Sequence, residues 1–258
     1  MTILVSAASA DLATHEPRYQ VRVAADAEQV RAAQRLRHRV FAQELGAVLP
    51  SSVSDVDTDG FDAYCDHLII ELAGGGEVVG TYRMLPPGRS PRLYADGEFD
   101  LAGLAPLREM LVEAGRACVH PDHRGGAVIN LMWSGIARYL HLTGYRWLAG
   151  CASVPLGDGG VDARHVWELA QRSHLAPPAW RVRPLRPYPV PAQPDPVPRH
   201  GGPGRAAVPA LLRGYLRLGA WICGPPAHDP DFAVADFFVL LALDRIDGRY
   251  LRHFLGQP

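Results

Sequence analysis

The chain has no lysine; all 26 of its basic residues are arginine. That absence excludes a Schiff-base lysine, and with it ordinary pyridoxal-phosphate chemistry, and it excludes a Walker A phosphate loop. Every fixed positive side chain is instead a planar fork that can grip a carboxylate or phosphate through two hydrogen bonds. Cysteine is scarce. Cys65, Cys118, Cys151 and Cys223 show no CxxC spacing, so reduced, mostly buried thiols are expected rather than a disulfide framework or a zinc site. His120 and His123 lack a third ligand at a suggestive spacing, so no metal is expected. The net charge of −1 gives no argument for nucleic acid. Apolar runs such as Phe237–Leu243 fall far short of the roughly 20 residues that a membrane span needs. The opening residues, MTILVSAASADLATHEP, lack the basic start of a signal peptide, and residues 1–17 read as a loose tail.

What is present is a chain of 258 residues, 48% of them apolar, which supports a sizeable core. Tyr19–Val23 alternates as a strand, and Asp26 is placed to cap a helix over Ala27–Phe41. His67–Leu72 and Glu77–Leu85 read as strands joined by a glycine turn, and Leu101–Leu107 as a short helical turn. Met110–Val119 reads as a strand, Val128–Thr143 as a helix closed by Gly144, Trp147–Ser153 as a strand and Asp162–Ser173 as a helix. Eleven prolines then fall between Ala176 and Pro209, a density that no regular helix or central strand survives. A helix (Ala210–Leu218), a strand (Ala235–Leu243) and a last helix (Gly248–Phe254) follow. The alternation implies an α/β fold with a mixed sheet: a core over residues 18–175, a connecting arm over 176–209, and a C-terminal extension over 210–258 that completes the same domain.

The stretch Met110–Ser153 carries the clearest chemistry. A strand feeds an Arg/Gly-rich loop that opens a helix, and free N–H groups at a helix start attract anions. Arg124 can meet a phosphate, and Gly125 and Gly126 let backbone come close to one. Glu113 lies on the strand before this loop, either as a general base or as half of an Arg–Glu pair at a sheet edge. Gly115 is a candidate bulge, which would leave N–H groups free to steady an oxyanion. The acidic run Asp55, Asp57, Asp59, Asp62 and Asp66 lacks calcium-loop spacing; it suits a solvated loop or the cationic end of a small amine.

Several short motifs then occur in one order: Leu36-Arg37-His38-Arg39-Val40-Phe41, Asp57-Thr58-Asp59-Gly60-Phe61-Asp62, Cys65-Asp66-His67-Leu68, Val79-Gly80-Thr81-Tyr82-Arg83-Met84-Leu85, Glu98-Phe99-Asp100-Leu101 and Glu113-Ala114-Gly115-Arg116-Ala117-Cys118-Val119. Toward the C-terminus stand Leu211-Leu212-Arg213-Gly214-Tyr215-Leu216-Arg217-Leu218-Gly219-Ala220, Cys223-Gly224-Pro225-Pro226-Ala227 and Ala235-Asp236-Phe237. The set resembles the ornithine-lipid N-acyltransferase branch of the GNAT superfamily, related to the acyl-homoserine-lactone synthases. It covers roughly residues 19–175 and 209–255.

The resemblance implies a GNAT fold, a mixed central sheet flanked by helices, with no permanently bound cofactor. It implies transfer of a 3-hydroxyacyl group from an acyl carrier protein thioester, or from acyl-coenzyme A, to the α-amine of ornithine or a similar amino acid. The product would be a lyso-ornithine lipid or an N-acyl amino acid. It assigns catalysis to Glu113, Arg116 and the N–H near Val119, and donor binding to Cys118, Val119, Arg124, Gly125, Gly126, Ala127 and Val128. Arg37, Phe41, Asp57, Asp62, Arg83 and Phe99 match the positions that organise the N-terminal cleft. Within it, Asp57 and Asp62 are placed to hold the acceptor's side-chain ammonium and Arg83 its carboxylate, or all three form an ion network that shapes the cleft. Such an enzyme would be cytoplasmic, peripheral to the inner face of the membrane. Two departures stand out. The glycines of the loop are displaced to 125 and 126, which favours a carrier-protein donor over coenzyme A, and the arm is long. The alternatives are a coenzyme A-dependent acetyltransferase acting on a small amine and a non-catalytic module that binds an acyl ligand.

Overall fold

In a computed structural model, residues 3–6, 19–49, 55–74, 76–191 and 207–255 are described. The strands are β1 (Ile3–Ser6), β2 (Tyr19–Val23), β3 (Asp66–Leu72), β4 (Val78–Leu85), β5 (Phe99–Asp100), β6 (Leu111–Val119), β7 (Trp147–Pro155), β8 (Arg183–Pro184), β9 (Trp221–Ile222), β10 (Ala227–Asp229) and β11 (Val234–Ala242). The helices are α1 (Ala27–His38), α2 (Gly126–Thr143), α3 (Val161–Leu169), α4 (Ala210–Arg217) and α5 (Gly248–Leu255). Two compact units result: Met1–Ser90 with Ala114–Tyr145 and Gly248–Pro258, and Pro91–Glu113 with Arg146–Asp247. Strand β6 runs through both, its first three residues in the second unit and its last six in the first.

In the first unit β1, β2, β3 and β4 follow one another antiparallel, and β4 neighbours β6. Strand β1 falls inside the segment read as a loose tail; the remainder of that segment lies outside the described residues, apart from Ile3–Ser6. All eight residues of β4 are buried, the polar Thr81 and the charged Arg83 among them. Asp26 caps α1 by accepting the Gln29 N–H at 2.9 Å. The expected helix over Ala27–Phe41 holds α geometry only to His38 and widens to a π-helical turn over Arg39–Glu44, which carries Phe41. Helix α2 lies tight on the sheet at Gly135: a Cβ there would sit 2.7 Å from Val21 Cγ2, so the position requires glycine.

In the second unit β6 and β7 are parallel, and β7, β11 and β10 follow antiparallel. Strands β7 and β11 pair over nine residues, and every residue of β11 is buried. The strands β5, β8, β9 and β10, of two or three residues each, carry no readable period and are not anticipated by the sequence. After a 3-10 turn at Pro178–Trp180, the first half of the proline-rich arm is hydrogen-bonded to its neighbours: Val182 N–H to Cys223 O at 2.9 Å, Leu185 N–H to Glu98 O at 2.8 Å and Tyr188 N–H to Pro226 O at 3.0 Å. A Cβ on Gly224 would lie 2.4 Å from Val182 O, so this seam also requires glycine. Residues 192–206 of the arm lie outside the described residues.

Candidate active site

The N-terminal signature residues converge in the first unit as a lattice of three arginines and three aspartates. Arg37, fully buried in the last turn of α1, meets both Asp62 oxygens at 2.8 Å and places Nε 2.9 Å from Asp57 Oδ2. It also donates to the Asp57 carbonyl. Arg83, from β4, holds Asp59 at 2.6 Å and Asp62 at 3.4 Å. Arg116, from β6, reaches Asp57 at 3.2 Å and Asp59 at 3.3 Å. Burial raises the Asp62 pKa, but hydrogen bonds and charge from Arg37, the Arg83 charge and the Asp59 N–H outweigh it and hold the group down at about 2. Arg83 is held above its ordinary value: burial opposes this, and Asp59 and Asp62 overcome it. Asp57, Asp62 and Arg83 are joined in one ion network through Arg37 and Asp59. Phe41 packs against the cluster of Ala33, Leu36, Val40, Ile69, Val78 and Cys118.

Beside Gly115, the expected bulge position, the unusual backbone angle belongs to the next residue. Arg116 has φ +53°, a left-handed conformation that costs a non-glycine residue on the order of 1 kcal/mol or more. Its ion pairs to Asp57 and Asp59 hold it there. Pairing of β6 with β7 ends at Glu113, opposite Ala149, while β7 continues to Pro155 along β11. Cys118 is buried, and burial lifts its thiol to about 12, which leaves it inert as a nucleophile at neutral pH. Val119 is buried, and its carbonyl accepts from Arg124 Nε at 3.3 Å.

Past β6, Arg124, Gly125, Gly126 and Ala127 are exposed, whereas Val128 is buried and packs toward β4. Gly125 is the N-cap of α2 and supplies no side-chain cap, so the first-turn N–H groups receive no side-chain acceptor there. A Cβ on Gly125 or Gly126 would meet nothing within 4 Å. Packing within the chain therefore does not require those glycines. Arg124 is engaged: its guanidinium forms a two-pronged pair with Glu44 at 2.6 and 2.7 Å. That hydrogen bond raises the Arg124 pKa and lowers that of Glu44.

Glu113, in the second unit, is buried and caps a short turn. Its Oε2 accepts the Tyr94 N–H at 2.6 Å and its Oε1 the Ala95 N–H at 2.8 Å, at the start of the 3-10 turn Tyr94–Gly97. That turn delivers Glu98 and Phe99. Phe99 is buried against Phe238, with ring centroids 5.8 Å apart. Glu98, Asp229 and Asp236 place one carboxylate oxygen each within 4.8 Å of one another. Asp236 accepts from Ser153 Oγ at 2.6 Å. Burial first, then the Asp236 charge, raises Glu98 to about 8; Asp229 and Glu113 add to this, and a hydrogen bond with Cys151 opposes it. Sequence reasoning did not single out this trio. Glu98 lies inside one of the matched motifs, but nothing in its spacing links it to Asp229 or Asp236; β10, β11 and the turn bring them together.

The acetyltransferase (GNAT) domain family matches residues 36–134, which span the lattice, β6 and the first half of α2. The L-ornithine N(alpha)-acyltransferase of Rhodobacter capsulatus is 35% identical, over 86% of this chain and 89% of its own length. The protein of the same name from Brucella abortus is 33% identical, over 91% of this chain and 88% of its own. Among solved structures, the coenzyme A-dependent acyl-homoserine lactone synthase BjaI aligns over 90% of this chain and 83% of its own with a TM-score of 0.54 at 15% identity, which is a likeness of fold. With a mixed sheet flanked by helices and a third of its residues shared with those relatives nearly end to end, the chain belongs to the L-ornithine N(alpha)-acyltransferase family and is an N-acyltransferase of GNAT type.

Proposed function

We propose that the chain moves a 3-hydroxyacyl group from an acyl carrier protein thioester to the α-amine of ornithine, giving a lyso-ornithine lipid. The observation that carries the acceptor is the identity to relatives named for acyl transfer to ornithine, sustained over nearly the whole of each chain. For the donor, the support is local. The start of α2 has N–H groups with no side-chain cap, beside two glycines whose small size the fold itself does not use. These would receive the phosphate and amide oxygens of a pantetheine arm, with Cys118 and Val119 on β6 and Gly125 to Val128 along it. Arg181, Arg183 and Arg186 on the arm are exposed, and a carrier protein is acidic, so this edge suits docking. The lattice of Arg37, Asp57, Asp62, Arg83 and Arg116 serves as scaffold, holding the left-handed turn of β6 at Arg116. No helix among the described residues is long and apolar enough to cross a membrane, and an amphiphilic product would leave for the inner leaflet from a peripheral enzyme.

The test is a reconstituted assay with purified chain, ornithine, and 3-hydroxyacyl groups supplied either on carrier protein or on coenzyme A. N-acyl-ornithine detected by mass spectrometry, formed faster from the carrier donor, supports the reading. Consumption of acetyl-coenzyme A with another amine, and none of the long-chain donors, would replace it with the short-chain acetyltransferase.

A further inference from the structure

We infer that Glu44 is a specificity-determining residue of the donor site: its carboxylate holds the Arg124 fork that a donor phosphate would take, and so favours a donor with one phosphate over a polyanionic one. The inference deepens the reading of the loop from Arg124 to Val128 as the place of a pantetheine donor, and rests on it.

A guanidinium offers an oxyanion two forks, one from its two terminal nitrogens and one from Nε with a terminal nitrogen. In Arg124 both are engaged within the chain. Nη1 and Nη2 donate to the two Glu44 oxygens at 2.6 and 2.7 Å, and Nε donates to the Val119 carbonyl at 3.3 Å. The Nε contact ties the guanidinium to the end of β6, and Glu44 fills the remaining fork. A phosphate that seeks a two-pronged grip on Arg124 must displace this carboxylate, an anion of matching geometry.

The backbone of Glu44 is fixed. The residue ends the π-helical turn Arg39–Glu44 that follows α1. Just beyond it, the Leu45 N–H bonds Val40 O at 3.0 Å, five residues back, and the Gly46 N–H bonds Ala42 O at 3.2 Å. Wide turns of this kind recur at functional sites. Stability does not account for the pair. The Arg124 and Glu44 side chains are 45% and 33% exposed, and a surface pair contributes little. What the pair changes is the charge of the loop. Arg124 is the one arginine between Val119 and Asn130. Glu44 cancels it, and the side chain of Asp122, 81% exposed, adds a negative group. All of these residues belong to the first unit.

That balance discriminates between donors. A pantetheine arm on a carrier protein brings one phosphodiester. Coenzyme A brings a diphosphate and a 3′-phosphate. Repulsion grows with the charge that is brought, so a neutralised loop beside a free carboxylate penalises coenzyme A more. The N–H groups at the start of α2, which receive no side-chain cap, remain to receive a single phosphate.

The experiment supplies one 3-hydroxyacyl group on pantetheine, on 4′-phosphopantetheine and on coenzyme A, with ornithine as acceptor. Wild type is compared with Glu44→Gln, Arg124→Gln and the double variant. Glu44→Gln is expected to shift the KM ratio between acyl-pantetheine and acyl-coenzyme A in favour of coenzyme A by up to about five-fold, with acyl-phosphopantetheine between them. The shift is expected to fade as salt is added and to be smaller in the Arg124→Gln background. A purely structural pair would move all three donors alike. An equal change with all three donors, a shift undiminished in the Arg124→Gln background, or a ratio that moves against coenzyme A would overturn the role of Glu44. So would an unchanged ratio in Glu44→Gln while Arg124→Gln still raises KM for the phosphate-bearing donors; the donor reading would then stand alone. If Arg124→Gln leaves KM unchanged for every donor, the placement of the donor phosphate at this loop is overturned, and Glu44 with it.

Discussion

Two acidic clusters in this chain have opposite fates. In the first unit Asp57, Asp59 and Asp62 are matched by Arg37, Arg83 and Arg116, and the most constrained carboxyl, Asp62, is held at about 2. In the second, Glu98, Asp229 and Asp236 crowd within 4.8 Å, and Glu98 rises to about 8. The same side-chain chemistry gives carboxylates that stay charged where counter-charges are supplied and one that holds its proton where they are withheld.

The comparison breaks most sharply at Arg37. Arg37→Ala leaves Asp57 and Asp62 short of their buried partner, and should cost about 3–5 kcal/mol in urea unfolding. A cost below about 1 kcal/mol would mean that the lattice is not what holds this region.

The next largest effect is on the acid side. Asp62 has a folded pKa below its ordinary 3.8, so its contribution is fully present above that value and is lost as pH falls toward about 2. About 2 kcal/mol should vanish across that window, and Asp62→Asn should flatten the loss.

The other cluster has the opposite sign. Glu98 is raised above its ordinary 4.5, so the folded chain binds the extra proton and stability falls as pH rises from there toward about 8. Thermal melts across this range should show the decline, and Asp236→Asn should shrink it. A melting temperature that stays level for wild type from pH 5 to 8 would remove the contrast between the clusters.

The smallest effect belongs to Arg124. Its pair with Glu44 is solvent-exposed, so Arg124→Ala should change stability by less than about 1 kcal/mol. If the loop holds the donor, the same variant should raise the donor KM several-fold and leave that of the acceptor unchanged.

The lattice was legible because its members sit in ordered motifs, and helix α2 and strand β11 because long periodic or continuous apolar runs leave few other options. A bulge was expected at Gly115; the left-handed backbone lies at Arg116. Sequence shows which residue permits a left-handed backbone, but not that two aspartates distant in the chain can compel one. The Glu98 cluster was illegible because it depends on strands of two or three residues, whose pairing is decided by the surrounding topology and not by local propensity. For Glu113 a base and a structural partner were equally open; the two N–H groups it accepts were invisible until the Tyr94–Gly97 turn was placed.

The stitched half of the arm has one more consequence. Strand β10 ends the sheet order of its unit, and the arm lies along it: Pro187 faces Ala227, and the His228 N–H bonds Arg186 O at 2.8 Å. Beyond that seam the chain presents Pro187, Pro189 and Pro191, three residues with no N–H to give. A strand from another molecule that approached this border would find acceptors without donors, so the sheet cannot lengthen there. A proline content that looks like a failure to fold thus acts as a terminator of sheet growth, protecting a strongly apolar strand such as β11 from becoming the seed of an aggregate.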